Sequence, residues 1–356
     1  MHVAHVVGAR PNFMKAAPVH AALAARGVQQ TLIHTGQHYD ERMSDVFFDE
    51  LRLPRPDVNL SVGSGTHAAQ TGEVMIRIEP VLLERKPDWV LVYGDVNSTV
   101  AATLVCAKIG VRVAHVEAGL RSRDRSMPEE INRLVTDQLA DLLLTPSADG
   151  NENLEREGIP RERIVMVGNV MIDTLVRLLP AARERWPALR ERLAPDRFAL
   201  VTLHRPSNVD EADKLVELLE ALADVSRELP VVFPIHPRTR ESIRRAGFTV
   251  PDSIAVVEPL GYLDFLALQE RATAVITDSG GVQEETTFLG VPCLTMRANT
   301  ERPVTLTLGT NTLIGDDLQR LRAEVHAIAA GTIRQGTIPP LWDGRAAERI
   351  ADVLVR

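Results

Sequence analysis

The chain reads as an α/β protein with two doubly wound parallel-sheet domains and a polar cleft between them. Three observations carry that reading. Short β-branched runs alternate with longer helical stretches from end to end, the short runs are apolar almost throughout, and many of them end in ionisable residues. A strand apolar on both faces is covered on both faces, as in a parallel sheet between helix layers. In order, Val3–Val7, Gln30–His34, Trp89–Tyr93 and Arg112–Val116 are strands, separated by helices that include Met14–Ala25, Ala68–Arg85 and Ser98–Ile109. The pattern resumes with Phe198–Leu203, Val231–Ile235, Ile254–Val257, Ala274–Thr277 and Pro292–Met296. The two sets part around residues 168–196, which assigns 1–168 to a first domain and 169–343 to a second. Arg183–Asp196, flanked or interrupted by Pro180, Pro187 and Pro195, reads as a connector with some helix. The final helix, Gly344–Arg356, carries Ala347, Ile350, Ala351 and Leu354 at helical spacing and is expected to pack back on the first domain. A single closed barrel of strand–helix units is the alternative on pattern alone.

Composition narrows the partners. At 356 residues, 45% hydrophobic and 25% charged, the chain is an ordinary globular protein long enough for two domains. A net charge of −8 disfavours a nucleic-acid or acidic-membrane surface, so an anionic ligand must be held by a few local cations. Cys106 and Cys293 sit in apolar surroundings with neither CxxC spacing nor a disulfide framework, which suits a reducing cytosol. MHVAHVVGARPNFMK lacks the pattern of a secretory leader, and no apolar run approaches the roughly 20 residues of a membrane span. A cytoplasmic protein is expected.

The most informative stretch is DSGGVQEE, Asp278–Glu285, directly after the apolar run Ala274–Thr277. Strand, tight turn and helix N-terminus in succession present unpaired backbone N–H groups and a positive dipole end to a phosphate. Ser279 adds a hydroxyl, Gly280 and Gly281 allow close approach, and Glu285 is placed to accept hydrogen bonds from a ribose diol. A Gly-rich strand–helix turn with solvated glutamates is the plainer alternative.

Other strand ends point the same way, since ligands of open parallel sheets bind beyond the carboxyl ends of the strands. They lead to Gly8-Ala9-Arg10, Gly94-Asp95, Glu117-Ala118-Gly119, His204-Arg205 and His236-Pro237-Arg238. Asp95 is either an acid/base group or a cap for the helix that follows. Glu117 ends an apolar strand, where desolvation raises a carboxyl group toward the range useful for proton transfer. Ser126-Met127-Pro128-Glu129 matches a capping box, which would give Glu129 a structural role instead of a catalytic one. Arg121, Arg123 and Arg125 surround these acids, while Arg10 and Lys15 flank the start of the first helix.

No GxGxxG follows the first strand, and there is no Walker A loop or HExxH. Tyr39, Tyr93 and Tyr262 are followed four residues later by Met43, Asn97 and Leu266, not by lysine, which argues against a nicotinamide-dependent short-chain epimerase. The histidines are dispersed, His34 and His38 being the only pair four residues apart, so no metal site is expected.

GARPNFMKAAPV, TGQHYDERMSDVFF, VLVYGDVNST, AHVEAGLRS, MPEEINR, VGNVMIDTL, VTLHR, HPRTR, TDSGGVQEE and MRANTERP follow one another along the chain. This ordered set closely resembles the non-hydrolysing UDP-N-acetylglucosamine 2-epimerases and covers essentially the whole sequence. The resemblance implies a GT-B-like architecture of two Rossmann-like domains, a homodimer, and cofactor-free inversion at C2 of a UDP-sugar. Members of that family eliminate UDP across C1–C2 to a 2-acetamidoglucal and add it back with the proton on the opposite face. It implies Asp95, Glu117 and Glu129 as the acid/base set and His204 at the departing diphosphate, assisted by Arg10. Ser279 and Gly280 would hold phosphate, Lys15 would lie near it, and Glu285 would hold the ribose. Arg205, His236 and Arg302 would line the same cleft. Two departures stand out: Asn12 where a glutamate is common, and TGQHYDERMSD where the family often has a QHREMLDQ type. The second region forms part of an activating sugar-nucleotide site in some bacterial members, so that regulation is not implied here. A modified UDP-sugar such as a diacetamido-uronic acid stays open as substrate. So do a GT-B glycosyltransferase, a hydrolysing 2-epimerase and a nucleotide-sugar sensor.

Overall fold

The computed structural model describes residues 1–36, 50–193, 195–235 and 237–355. The chain forms two compact units, Met1–Thr174 with Pro340–Arg356, and Leu175–Pro339. In the first, β1 (His2–Val7), β2 (Gln29–His34), β3 (Val58–Asn59), β4 (Trp89–Tyr93), β5 (Arg112–Val116), β6 (Leu142–Thr145) and β7 (Ile164–Met166) form one sheet. Its order is β3-β2-β1-β4-β5-β6-β7, with every pairing parallel. The second unit repeats the scheme with β8 (Ala199–Thr202), β9 (Val231–Pro234), β10 (Ile254–Val257), β11 (Ala274–Thr277), β12 (Cys293–Thr295) and β13 (Asn311–Leu313). Its parallel sheet runs β10-β9-β8-β11-β12-β13. Two open sheets with edge strands exclude the closed barrel.

Both sheets reverse direction of growth once, between β1 and β4 and between β8 and β11. A crevice opens at the carboxyl ends of the strands at such a switch point. Gly8 and Gly94-Asp95 follow the two strands of the first switch point. His204 and Asp278-Ser279 follow those of the second.

Two features differ from, or complete, the pattern read from sequence. The expected connector is one continuous helix, Val170–Leu193, which runs through Pro180 and Pro187. Tertiary packing outweighs the proline penalty. Leu175, Leu178, Ala182 and Leu189 are buried along it, Trp186 stacks on Phe198 at 6.2 Å, and Arg183 pairs with Glu270 at 2.6 Å. The last helix, Ala346–Val355, buries Ala347, Ile350, Ala351 and Leu354 and lies against the helix Arg10–Ala24 of the same unit. Its first amides, on Ala346 and Ala347, donate to Asp173 at 3.1 and 2.7 Å, a cap supplied from far away in sequence. Cys106 and Cys293 are buried free thiols.

Candidate active site

In the first unit the carboxylates lie where β4 and β5 end. Glu117 leaves β5 in the left-handed region at φ 73°, unusual for a residue with a side chain and characteristic of functional positions. Its carboxylate, 6% exposed, is ion-paired with Lys15 from the helix Arg10–Ala24. Gly94, at φ 62°, makes room for that pair: a Cβ there would stand 2.8 Å from Lys15 Nζ and 3.5 Å from Glu117 Oε2. Asn12 ties the neighbouring backbone together. Its Oδ1 accepts from the Gly8 and Ala9 amides at 3.0 and 3.1 Å, and its Nδ2 donates to the Tyr93 carbonyl at 2.8 Å.

Asp95 is not a cap. The helix Asn97–Ile109 begins on Val96 without side-chain capping, and the Asp95 carboxylate pairs instead with Arg133. Arg133 also binds Glu130 through Nη2 at 2.7 Å and Nε at 2.9 Å. Glu130 in turn accepts the amides of Ser122 at 3.0 Å and Arg123 at 2.8 Å. Burial raises the Glu130 carboxyl, but these amides and the Arg133 guanidinium outweigh it and hold the group below its usual range.

The capping box expected at Glu129 is absent. Pro128 occupies the first helical position, so Met127 is the cap and Glu130, not Glu129, is the third helical residue. The Ser126 hydroxyl binds Asp124 at 2.6 Å. Glu129 is therefore an exposed side chain, and it lines a groove with Asp95, Gln70, Asn97 and Asn132. Of the three arginines, Arg121 is buried against Asp137 and Glu157, Arg123 reaches Asn153 at 2.8 Å, and Arg125 is exposed.

The second unit gathers a different set around Asp278, which is fully buried after β11. Asp278 accepts the amides of His204 and Arg205 at 3.0 and 2.9 Å, Asn208 Nδ2 at 3.0 Å, and faces His204 Nδ1 at 3.0 Å. Burial raises its carboxyl, and the His204 side chain with the other donors more than reverses this, keeping it ionised. The His204 ring remains 54% exposed, so its other edge is available to a ligand. Arg205 Nε returns to the Asp278 carbonyl at 3.1 Å.

Ser279 caps the helix Gly280–Leu289 through its backbone, with no side-chain capping bond. A Cβ on Gly280 would stand 2.9 Å from the Arg302 guanidinium carbon, whereas one on Gly281 would meet no protein atom within 4 Å. The guanidinium of Arg302 thus overlies the first turn, engaged by Glu284 at 2.9 Å and by Glu301. Glu285 is buried and accepts Tyr262 Oη at 2.8 Å. The Arg10 and Arg238 side chains and all of His236 lie outside the described residues, as does His38.

Burial pushes the Glu285 carboxyl up to about 7. An unfolded glutamate titrates near ~4.3, so between that pH and about 7 the unfolded chain binds fewer protons and stability falls as pH rises. Glu285→Gln is expected to raise Tm relative to the parent at about pH 8 and to change it little at about pH 5, as read by calorimetry.

The comparisons bear on the family. Residues 21–355 match the family described as UDP-N-acetylglucosamine 2-epimerase. The chain belongs to that family. A relative of that name from Methanocaldococcus jannaschii is 41% identical over 365 residues, covering 99% of both chains. The UDP-2,3-diacetamido-2,3-dideoxy-D-glucuronate 2-epimerase of Pseudomonas aeruginosa is 42% identical over 361 residues, covering all of both. The crystal structure of the M. jannaschii UDP-GlcNAc 2-epimerase in complex with UDP-GlcNAc and UDP superposes with a TM-score of 0.91 at 42% identity, covering 100% of this chain and 99% of that one. Membership of this 2-epimerase family makes the chain an isomerase with GT-B-like, Rossmann-like units.

Sequence reasoning missed several residues that the fold places beside the candidate groups. Arg133 lies three residues after Glu130 in the MPEEINR motif, about one helical turn on, which was a usable signal for that pair. Asp278 opened the very motif that drew attention to Ser279. Tyr262 and Asn208 gave no signal, because their partners are 23 and 70 residues away.

Proposed function

We propose that the chain interconverts UDP-N-acetylglucosamine and UDP-N-acetylmannosamine by eliminating and re-adding UDP. The observation that carries this is that two carboxylates at the strand ends of the first unit each face a cation, Glu117 with Lys15 and Asp95 with Arg133, which Glu130 shares. The C2 proton is not next to a carbonyl, so direct removal and return is too costly. In the proposed sequence one carboxylate takes the C2 proton as the C1–O bond breaks. UDP leaves with the electron pair and C1=C2 forms. UDP oxygen then attacks C1, and a second acid delivers a proton to C2 from the other face. The sequence is redox-neutral and balances without a cofactor. Asp95, Glu117 and Glu129 supply the acid/base groups, and the lysine and arginine partners hold two of them in place.

The second unit fits the nucleotide. The amides at Gly280 and Gly281 and the Ser279 hydroxyl suit the diphosphate, with His204, Arg205 and Arg302 as side-chain donors around it. Glu285 suits the ribose. Fixed donors aimed at charge growing on departing UDP are where such a site gains most. Because Gly281 faces open space, Gly281→Ala is expected to leave Tm unchanged and to weaken UDP binding about tenfold, ~1.4 kcal/mol, in a titration calorimeter.

A second reading differs only in the sugar. The P. aeruginosa relative named for a diacetamido-uronate substrate is as similar as the M. jannaschii one, so the uronate analogue is the second substrate to try. Each UDP-sugar is incubated with the protein and the products are separated by anion-exchange chromatography. Conversion of UDP-N-acetylglucosamine to its C2 epimer supports the first reading, and conversion of the uronate alone supports the second. Release of free N-acetylmannosamine with UDP moves the assignment to the hydrolysing class. No helix among the described residues is long and apolar enough to cross a membrane. A cytoplasmic homodimer supplying precursors of surface polysaccharides is the setting that the family resemblance supports.

A further inference from the structure

We propose that His115 is a positioning residue for the acid/base set: as an imidazolium held by Asp137, it braces the two turns that carry Asp95 and Glu117. What the turns are for rests on the epimerase reading above; the brace itself rests on geometry. His115 lies in β5 and Asp137 in the helix Pro128–Leu139, and neither has any exposed surface. His115 Nε2 stands 2.8 Å from the carbonyl oxygen of Gly94, and Nδ1 stands 2.6 Å from Asp137 Oδ1. A carbonyl only accepts, so Nε2 carries a proton.

The other side of the ring meets a carboxylate that has every reason to be ionised. Asp137 Oδ2 receives Arg121 Nη1 at 2.7 Å and the Gly119 amide at 3.1 Å. Burial raises the Asp137 carboxyl, and His115 with Arg121 outweighs it. Two acceptors against one ring require two ring protons. Arg121 also binds the partly exposed Glu157 at 2.6 Å.

The contacts of this pair fall on both sides of the chemistry. Gly94 immediately precedes Asp95; its carbonyl is fixed by His115 while its amide donates to the Val116 carbonyl at 3.0 Å. Gly119 stands two residues beyond Glu117, and its amide is fixed by Asp137. One His–Asp pair therefore sets both turns together. Buried ion pairs are a poor route to stability compared with apolar packing, so a positioning role is the better account of this one.

The test uses the full chain with its histidine rings labelled with nitrogen-15. The His115 signals are identified by their loss in His115→Gln or, should that variant not fold, by their protection from solvent exchange. Two protonated ring nitrogens, one facing the Gly94 carbonyl and one facing Asp137, are expected in the parent. Asp137→Asn keeps the shape but removes the charge. It is expected to cost the ring one proton and to lower kcat about 10²-fold, as slight misplacement of catalytic groups does, with KM and calorimetric UDP affinity unchanged. A merely structural role would lower Tm without that split between kcat and KM. A parent ring with a single protonated nitrogen, or an Asp137→Asn variant with parental kcat, overturns the brace. A parent that turns over no UDP-sugar overturns the epimerase reading instead, and the ring signals still decide the dyad.

Discussion

Glu117→Gln is expected to lower turnover of the UDP-sugar by about 10²–10⁴-fold, the usual worth of a positioned acid or base, while UDP binding persists. The reasons are local. Glu117 sits at the end of β5 in a left-handed backbone conformation, and its carboxylate is buried against Lys15. Glutamine keeps the size and one acceptor but can neither take the C2 proton nor neutralise the lysine. An uncompensated buried ammonium destabilises, so a loss of activity alone is ambiguous. Lys15→Met combined with Glu117→Gln removes both charges and is expected to recover most of the Tm and none of the turnover. UDP affinity by calorimetry should match the parent in Glu117→Gln, because Glu117 is not among the groups proposed to hold the nucleotide. Turnover near the parental rate in Glu117→Gln contradicts the assignment.

Arg133→Leu is expected to destabilise the chain by about 3–5 kcal/mol, the cost of removing one partner from a buried ion pair. Arg133 and Glu130 are each 2% exposed, and Arg133 also reaches Asp95. The sign with pH is defined. Against burial, the amides and Arg133 depress the Glu130 carboxyl in the folded state. Its contribution is therefore present above the unfolded value near ~4.3 and is lost as pH falls through the lower folded value. Urea unfolding should show that acid-side loss in the parent and a smaller one in Arg133→Leu. Adding Glu130→Gln to the variant should return part of the stability, since two neutral groups replace a stranded charge. A change below about 1 kcal/mol would place this pair among weak surface bridges instead.

Much of the fold was legible because a parallel sheet writes itself into the sequence as apolar runs at regular intervals. Strand ends follow from that, and with them Asp95, Glu117, His204 and Asp278-Ser279. The partners of those groups are a different matter. Lys15 meets Glu117 and Arg133 meets Asp95 only because β1, β4 and β5 are neighbours in one sheet, and strand order is not a local property of sequence. Local rules also misled where two of them competed. Ser126 to Glu129 fits a capping box, but Pro128 is better suited to the first helical position and shifts the register by one. Pro180 and Pro187 suggest a broken connector, yet the buried face of Val170–Leu193 holds the helix together across both.

The most direct measurement is proton NMR of the purified chain with UDP-N-acetylglucosamine in D2O, with no cofactor or metal added. Elimination and re-addition must exchange the C2 proton with solvent. The expected result is UDP-N-acetylmannosamine appearing with deuterium at C2, and deuterium entering C2 of the starting sugar as equilibrium is approached. Epimerisation with the original proton retained at C2 would contradict the proposed chemistry, because no free glucal exposed to a solvent-exchanged acid could then have formed.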